Sequence, residues 1–219
     1  MSLLRSERIH STLLALYEDA YQRTQETKKL KTPRSGLTPE EQFELKKKAY
    51  MAISYECGEL LYGLARSNDS KNIVEFGMSF GLSTLFLATA LKENQGHKII
   101  TTEYFQEKAD QALQNFERAG LSEIIECRVG DALETLSTNL PEQVDFLFLD
   151  GAKSLYGDIL KMVEPRLRKG SLVVSDNTNH KGMEEHLAYL RDPANGYTST
   201  AINTLTERAP GHHEISIKL

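Results

Sequence analysis

The chain has 219 residues, 26 of them Lys or Arg and 31 Asp or Glu, for a formal net charge of −5. That length suits one domain with a sizeable core, and the acidic balance disfavours a general binder of nucleic acid or anionic membranes. Two cysteines, Cys57 and Cys127, are too few for a disulfide framework and read as core filler; with charge interrupting the first apolar run at Arg5 and no stretch of about 18 apolar residues, the expectation is a soluble chain of the cytoplasm.

From the N-terminus, Ile9, Leu13, Leu16, Tyr17 and Ala20 recur at helical spacing and predict an amphipathic helix over 9–25. Residues 28–40 break that pattern with Pro33, Gly36, Pro39 and clustered positive charge, the composition of a lid or a solvated linker. Thr38-Pro39-Glu40-Glu41 is a capped helix start, and its pattern continues through Phe43, Leu45, Ala49 and Tyr50. A further helix carries Leu60, Leu61, Leu64 and Ala65 and ends at Asn68-Asp69-Ser70.

Ile73 to Phe76 then reads as a short buried strand, Gly77 to Gly81 as a turn, and Ser83 or Thr84 as the hydroxyl that caps the next helix. Such a turn lets a ligand lie against bare backbone beside unpaired helix donors. The spacing Gly77-x-x-x-Gly81 is not the dinucleotide fingerprint, and Glu75 would repel phosphate while suiting an ammonium group. Taken alone, the turn is also compatible with an ordinary α/β connection that binds nothing.

The second strand, Lys98 to Thr102, ends at Glu103, where a carboxylate can accept from both ribose hydroxyls. Residues 107–119 place Ala109, Ala112, Leu113 and Phe116 on one helical face, with Gly120 as C-terminal cap. A third strand over 124–129 leads to Gly130-Asp131-Ala132-Leu133, a turn that could meet an adenine. Residues 144–150 form a continuous apolar run ending in Asp150, as expected of a central parallel strand. A helix over 159–167, a strand over 171–175 with Asp176-Asn177 at its tip, a helix over 183–190 and an antiparallel tail at 199–205 and 213–219 complete the chain. The alternation predicts a mostly parallel sheet with helices on both faces.

Strand tips thus bring Glu75, Asp150 and Asp176-Asn177 to one sheet edge. Asp150, Asp176 and Asn177 offer only oxygen donors, the set preferred by a hard cation such as Mg2+, and leave about three of six octahedral positions for water or substrate. Singly, each residue would more often be a cap or turn former. Lys153 follows Asp150 by three residues; a neighbouring cation disfavours an ammonium, which makes this lysine a candidate base. His180, His212 and His213 could serve a substrate but fit ordinary surface or turn positions better.

The segments Glu75-Phe-Gly77-Met-Ser-Phe-Gly81-Leu-Ser83, Glu103, Gly130-Asp131-Ala132, Asp150-Gly-Ala-Lys153-Ser-Leu-Tyr156 and Asp176-Asn177-Thr178, in this order, resemble the cation-dependent O-methyltransferases, the group of catechol and caffeoyl-coenzyme A O-methyltransferases and their small bacterial relatives. The resemblance covers about 48–219. It implies a Rossmann-like α/β fold, a mostly parallel seven-stranded sheet with an antiparallel C-terminal strand. It implies S-adenosylmethionine as methyl donor, a divalent cation on Asp150, Asp176 and Asn177, and Lys153 as catalytic base. Glu75, Gly77, Ser79 and Ser83 would line the methionine end, closed by Met51, Ile53 and Ser54. Glu103 would hold the ribose, Gly130, Asp131 and Ala132 would border the adenine, and Tyr104 would cover one of its faces. Asp150 and Tyr156 would complete the cofactor pocket.

The acceptor implied is a small catechol-like hydroxyl compound. One domain is expected over 1–219, with 1–47 a helical lid or dimerisation segment and 48–219 the cofactor- and metal-binding core of a homodimer. Two other readings are open: a methyltransferase of transfer-RNA hydroxyuridine, using Lys28, Lys29, Lys31, Arg34 and Lys46 to Lys48 against phosphates, and a non-catalytic S-adenosylmethionine-binding protein. Ser54-Tyr55 stands where many bacterial relatives carry Ser-Pro, and residues 195–213 match no acceptor signature.

Overall fold

The computed structural model describes residues 2–28, 38–204 and 211–219. Five parallel strands, β1 (Asn72–Phe76), β2 (Lys98–Glu103), β3 (Ile125–Val129), β4 (Val144–Leu149) and β5 (Leu167–Asp176), join β6 (Tyr197–Thr204) and β7 (Gly211–Lys218) in one sheet of order β3-β2-β1-β4-β5-β7-β6. β7 runs antiparallel to both β5 and β6. The chain winds outward from β1 to β3, then returns to β4 on the other side of β1. That reversal opens a crevice beyond the carboxyl ends of β1 and β4, the place where such sheets bind ligands.

Helices α1 (Glu7–Lys28), α2 (Pro39–Lys48), α3 (Tyr55–Ser67), α4 (Leu82–Glu93) and α5 (Gln106–Ala119) precede the short α6 (Ala132–Thr135), α7 (Tyr156–Val163) and α8 (Glu184–Arg191). Successive strand residues point to opposite faces, so β4 feeds two cores. Phe146 and Phe148 join Leu13, Leu61, Phe86 and Phe116 on one side, while Leu147 and Leu149 join Tyr156, Leu160 and Leu190 on the other. Both faces of β4 are covered, which explains its uninterrupted apolar sequence. α1 is tied down by Arg8, whose guanidinium donates to the carbonyls of Glu117 and Arg118 at 2.7 Å, at the C-terminal end of α5.

The cap of α2 is a reciprocal pair: the Thr38 hydroxyl accepts from Glu41 N, and Glu41 accepts from Thr38 N. Gly120 closes α5 at φ 72°. Three local expectations are corrected. α4 begins after Gly81, which is left-handed and offers no side-chain cap, because the Thr84 hydroxyl is committed to Glu75 instead. Leu113 is 44% exposed, on the outer side of α5 from its apolar stripe. β5 starts at Leu167 rather than 171, because Arg168 Nε reaches the buried Asp145 Oδ1 at 2.6 Å and draws the polar Arg168-Lys169-Gly170 stretch into the sheet. Residues 29–37 and 205–210 lie outside the described residues, and with them most of the basic segment and the end of the penultimate strand. Among the described residues, no helix is long and apolar enough to cross a membrane.

One buried group makes a pH prediction. His186 sits under the sheet with its Nε2 2.9 Å from Ser175 Oγ, and burial pushes its imidazole down to about 4 against the opposing pull of Glu214. The unfolded chain therefore binds this proton more tightly, so the contribution is present above about 6.5 and is lost as pH falls from there towards 4. Wild-type unfolding free energy should drop by roughly 3 kcal/mol across that window, and the drop should flatten in His186→Gln, read by urea titration at several pH values.

Candidate functional site

The site is built from strand tips. β1 ends in Glu75-Phe76, and Gly77 follows at φ 101°, a conformation that glycine adopts without strain. A Cβ there would stand 2.7 Å from the backbone of Asp150 and Gly151, so glycine also permits the β1 and β4 tips to touch. Asp150 N donates to Phe76 O at 2.8 Å across that contact. Met78 N donates to Thr102 O at 2.8 Å, and Ser79, itself left-handed at φ 51°, donates through its N–H to Glu103 Oε2 at 2.9 Å. Glu103 Oε1 accepts from Phe105 N at 3.0 Å. The turn is thus stapled to β2 and β4 at once.

Glu75 is fully buried beneath the turn, and its Oε2 accepts from the hydroxyls of Thr84 and Thr101. Burial pushes its carboxyl up, against the lowering effect of hydroxyls from Ser83, Thr101 and Thr84. Its Oε1 and the Ser79 hydroxyl are buried without a hydrogen-bond partner among the described residues. Such orphans cost stability unless a ligand supplies the missing donor or acceptor. Two orphaned polar atoms around a glycine turn fit a ligand bearing an ammonium and a carboxylate.

At the turn after β3, Gly130 N donates to Glu103 O at 2.9 Å, and Ala132 is buried. The Asp131 carboxylate caps α6 by accepting from Leu133 N at 2.8 Å, a structural task that leaves it less free than a dedicated ligand contact. Burial raises the Glu103 carboxyl, opposed by the Phe105 backbone donor and the Lys108 charge. Tyr104 is 62% exposed, and Met51 is 61% exposed. Ile53 is buried, and the Ser54 hydroxyl is engaged as N-cap of α3, accepting from Cys57 N at 3.1 Å.

Asp150, Lys153, Asp176 and Asn177 meet at the sheet edge. Lys153 Nζ lies 3.2 Å from Asp150 Oδ1 and donates to Tyr156 OH at 2.6 Å, and that phenol donates to Asp176 O at 3.2 Å. Asn177 sits left-handed at φ 53° and donates through Nδ2 to Asp176 Oδ2 at 2.7 Å. Burial, then the neighbouring Asp176 charge, pushes the Asp150 carboxyl well up. Burial also acts to raise Asp176, but the adjoining His213 and Lys153 outweigh it and hold that carboxyl below its ordinary value. Two carboxylates crowded with so little positive charge form the electrostatic setting that a divalent ion relieves.

His213 was expected at a surface or turn. It is instead 2% exposed, with Nδ1 2.6 Å from Asp176 Oδ1, because β7 pairs His213 directly with Asp176 across the sheet. A cavity of about 530 Å3 opens in front of Asp176, Asn177 and His213, walled by Tyr17 and Tyr21 of α1 and by Tyr50, Ile53 and Tyr55. The aromatic wall was missed by sequence reasoning, since tyrosines at helical spacing look like any amphipathic stripe. Of the basic cluster, Lys47 is paired with Glu107 at 2.5 Å, while Lys29, Lys31 and Arg34 lie outside the described residues.

Comparisons with known proteins agree with this architecture. Residues 74–178 match a family model described as a methyltransferase domain. A catechol O-methyltransferase of Niastella koreensis is 33% identical over 135 residues, covering 60% of each chain. A protein of the same name from Mycobacterium tuberculosis is 32% identical over 132 residues, covering 60% of this chain and 59% of its own. The chain therefore spans about three fifths of the length of these relatives. The solved O-methyltransferase of Bacillus cereus, in complex with SAH, superposes with a TM-score of 0.71 at 22% identity, covering 93% of this chain and all of that one, and shares the fold. Glycine turn, sheet order and sequence likeness converge: residues 74–178 match a methyltransferase domain, and the chain is similar over three fifths of its length to catechol O-methyltransferases.

Proposed function

We propose that this protein transfers the methyl group of S-adenosylmethionine to a hydroxyl of a small catechol-like acceptor held on a divalent cation. The observation that carries the reading is the meeting of Asp150, Lys153, Asp176 and Asn177 at one sheet edge, between the glycine turn and a tyrosine-walled cavity. The orphaned Glu75 Oε1 and Ser79 Oγ suit the ammonium and carboxylate of the donor's methionine part, and Glu103 suits its ribose. Asp150, Asp176 and Asn177 would hold the cation, whose chemistry is to stabilise an acceptor oxyanion and fix its direction.

Each residue then has a task. Tyr156 and Asp150 hold Lys153 Nζ in place, and Tyr156 also bonds the backbone of Asp176, which borders the cavity, so this nitrogen would take the acceptor proton. α1 supplies Tyr17, Ala20 and Tyr21 as a wall, flat apolar surface suited to an aromatic ring. Most of the rate comes from alignment, because a methyl group in transit offers no handle for hydrogen bonding.

The test is calorimetric titration with S-adenosylmethionine, then labelled methyl transfer to catechols with Mg2+ and with excess chelator. Saturable donor binding and chelator-sensitive transfer are expected; undiminished transfer in chelator would overturn the cation role. Lys153→Arg keeps charge and approximate reach but cannot release its proton. Its turnover should fall by about 100-fold with donor affinity retained, in steady-state assays beside calorimetry.

A further inference from the structure

Cys57 in the first turn of α3, Asp176 at the tip of β5 and His213 on β7 come from three distant segments. A ligand atom from each lies within 4.8 Å of the others. All three are buried, at 3%, 5% and 2% exposure. Asp176 Oδ1 and His213 Nδ1 stand 2.6 Å apart, yet among the described residues neither has a partner in hydrogen-bond geometry. Their contact is short but misdirected.

The surrounding bonds account for this. His213 Nε2 lies 2.8 Å from Thr204 Oγ1; in the tautomer that donates to this hydroxyl Nδ1 keeps a lone pair for an ion, and in the other Nδ1–H faces Asp176 Oδ1. Asp176 Oδ2 is occupied by Asn177 Nδ2, which leaves Oδ1 to face the imidazole. In the first tautomer two acceptors oppose each other beside the Cys57 sulfur at the wall of the cavity. Leaving them so is costly, and one cation between them satisfies both. An all-oxygen site has no use for sulfur or imidazole; those donors suit softer ions.

We propose that Cys57, Asp176 and His213 form a metal site of mixed sulfur, oxygen and nitrogen donors that takes a thiophilic divalent ion of the Zn2+ class. Three protein ligands leave one tetrahedral position, the arrangement of exchangeable rather than closed zinc sites. All three residues border the tyrosine-walled cavity, so that position opens towards an incoming ligand. Ligation converts the Cys57 thiol to thiolate, its proton passing to solvent. Asp176 belongs to this group and to the all-oxygen group, so occupancy of one weakens the other. This last consequence rests on the methyl-transfer reading; the site itself does not.

The probe is Co2+ added to the full chain without methyl donor or acceptor. One equivalent should produce a thiolate-to-cobalt charge-transfer band, abolished by one equivalent of Zn2+, absent in Cys57→Ser and retained in Cys127→Ser. His213→Gln should weaken Zn2+ binding by about 10-fold or more. Should Cys57→Ser fail to fold, zinc-edge X-ray absorption on the wild type must show a sulfur neighbour at about 2.3 Å. Binding without the band, a band indifferent to Cys57, or no binding of either ion leaves only a His213–Asp176 pair and overturns the site. With saturating Mg2+, Zn2+ should inhibit turnover of the wild type about 10-fold more strongly than that of Cys57→Ser. Equal inhibition overturns the competition; a band in a protein that methylates nothing upholds the site and defeats the functional reading.

Discussion

Asp150→Asn is expected to lower methyl transfer by about 1,000-fold while leaving the cation-free protein at least as stable as the wild type. The substitution preserves the shape of a side chain lodged at the β4 tip, and the Asp150 N to Phe76 O bond is a backbone contact that survives it. What is lost is charge. Asp150 faces Asp176 in a buried setting that pushes its carboxyl well up, so the folded chain holds this proton more tightly than the unfolded one. Stability in chelator therefore declines as pH rises from about 3.9 through the raised folded value, and asparagine removes that decline. Under the proposed cation role turnover moves the opposite way, because a hard cation needs the carboxylate. Urea unfolding against pH in chelator, beside steady-state turnover in Mg2+, reads both effects. Activity within about 3-fold of wild type would show that Asp150 does not hold the cation.

Gly77→Ala should cost about 3 kcal/mol or more and weaken S-adenosylmethionine binding at the same time. The left-handed backbone at φ 101° is one source of that cost. The other is steric: the new Cβ would stand 2.7 Å from backbone atoms of Asp150 and Gly151, which no rotamer change can relieve. β1 and β4 would have to part where the site is assembled, moving Asp150 away from Asp176. Gly63→Ala is the internal control. It lies within α3, nothing stands within 4 Å of its added Cβ, and it should be neutral or stabilising by up to about 1 kcal/mol. Urea unfolding and calorimetric titration of both variants separate the site effect from a general effect of alanine.

Much of this arrangement was written locally. The capping box at Thr38 and Glu41 and the Gly120 cap depend on neighbours within a turn, and the apolar run of β4 states its burial on both faces. The acids at the strand ends were legible for the same reason: parallel α/β winding sends every such tip to one edge, so Asp150 and Asp176 had to approach each other once the alternation was read. The start of β5 was less legible. Arg168-Lys169-Gly170 looks like a helix end followed by a turn, and only its pairing with Asp145, 23 residues away, makes it strand.

By itself, then, the sequence determined the strand and helix alternation, the glycine turn and the oxygen donors, because each follows from spacing along the chain. Only the tertiary structure decided that Glu75 is enclosed beneath its turn, that the tyrosines of α1 wall a cavity, and that His213 rests on Asp176 beside Cys57. These facts depend on the antiparallel register of β7 and the docking of α1 and α3. Residues far apart in the chain meet there through packing and strand pairing, which no local pattern records.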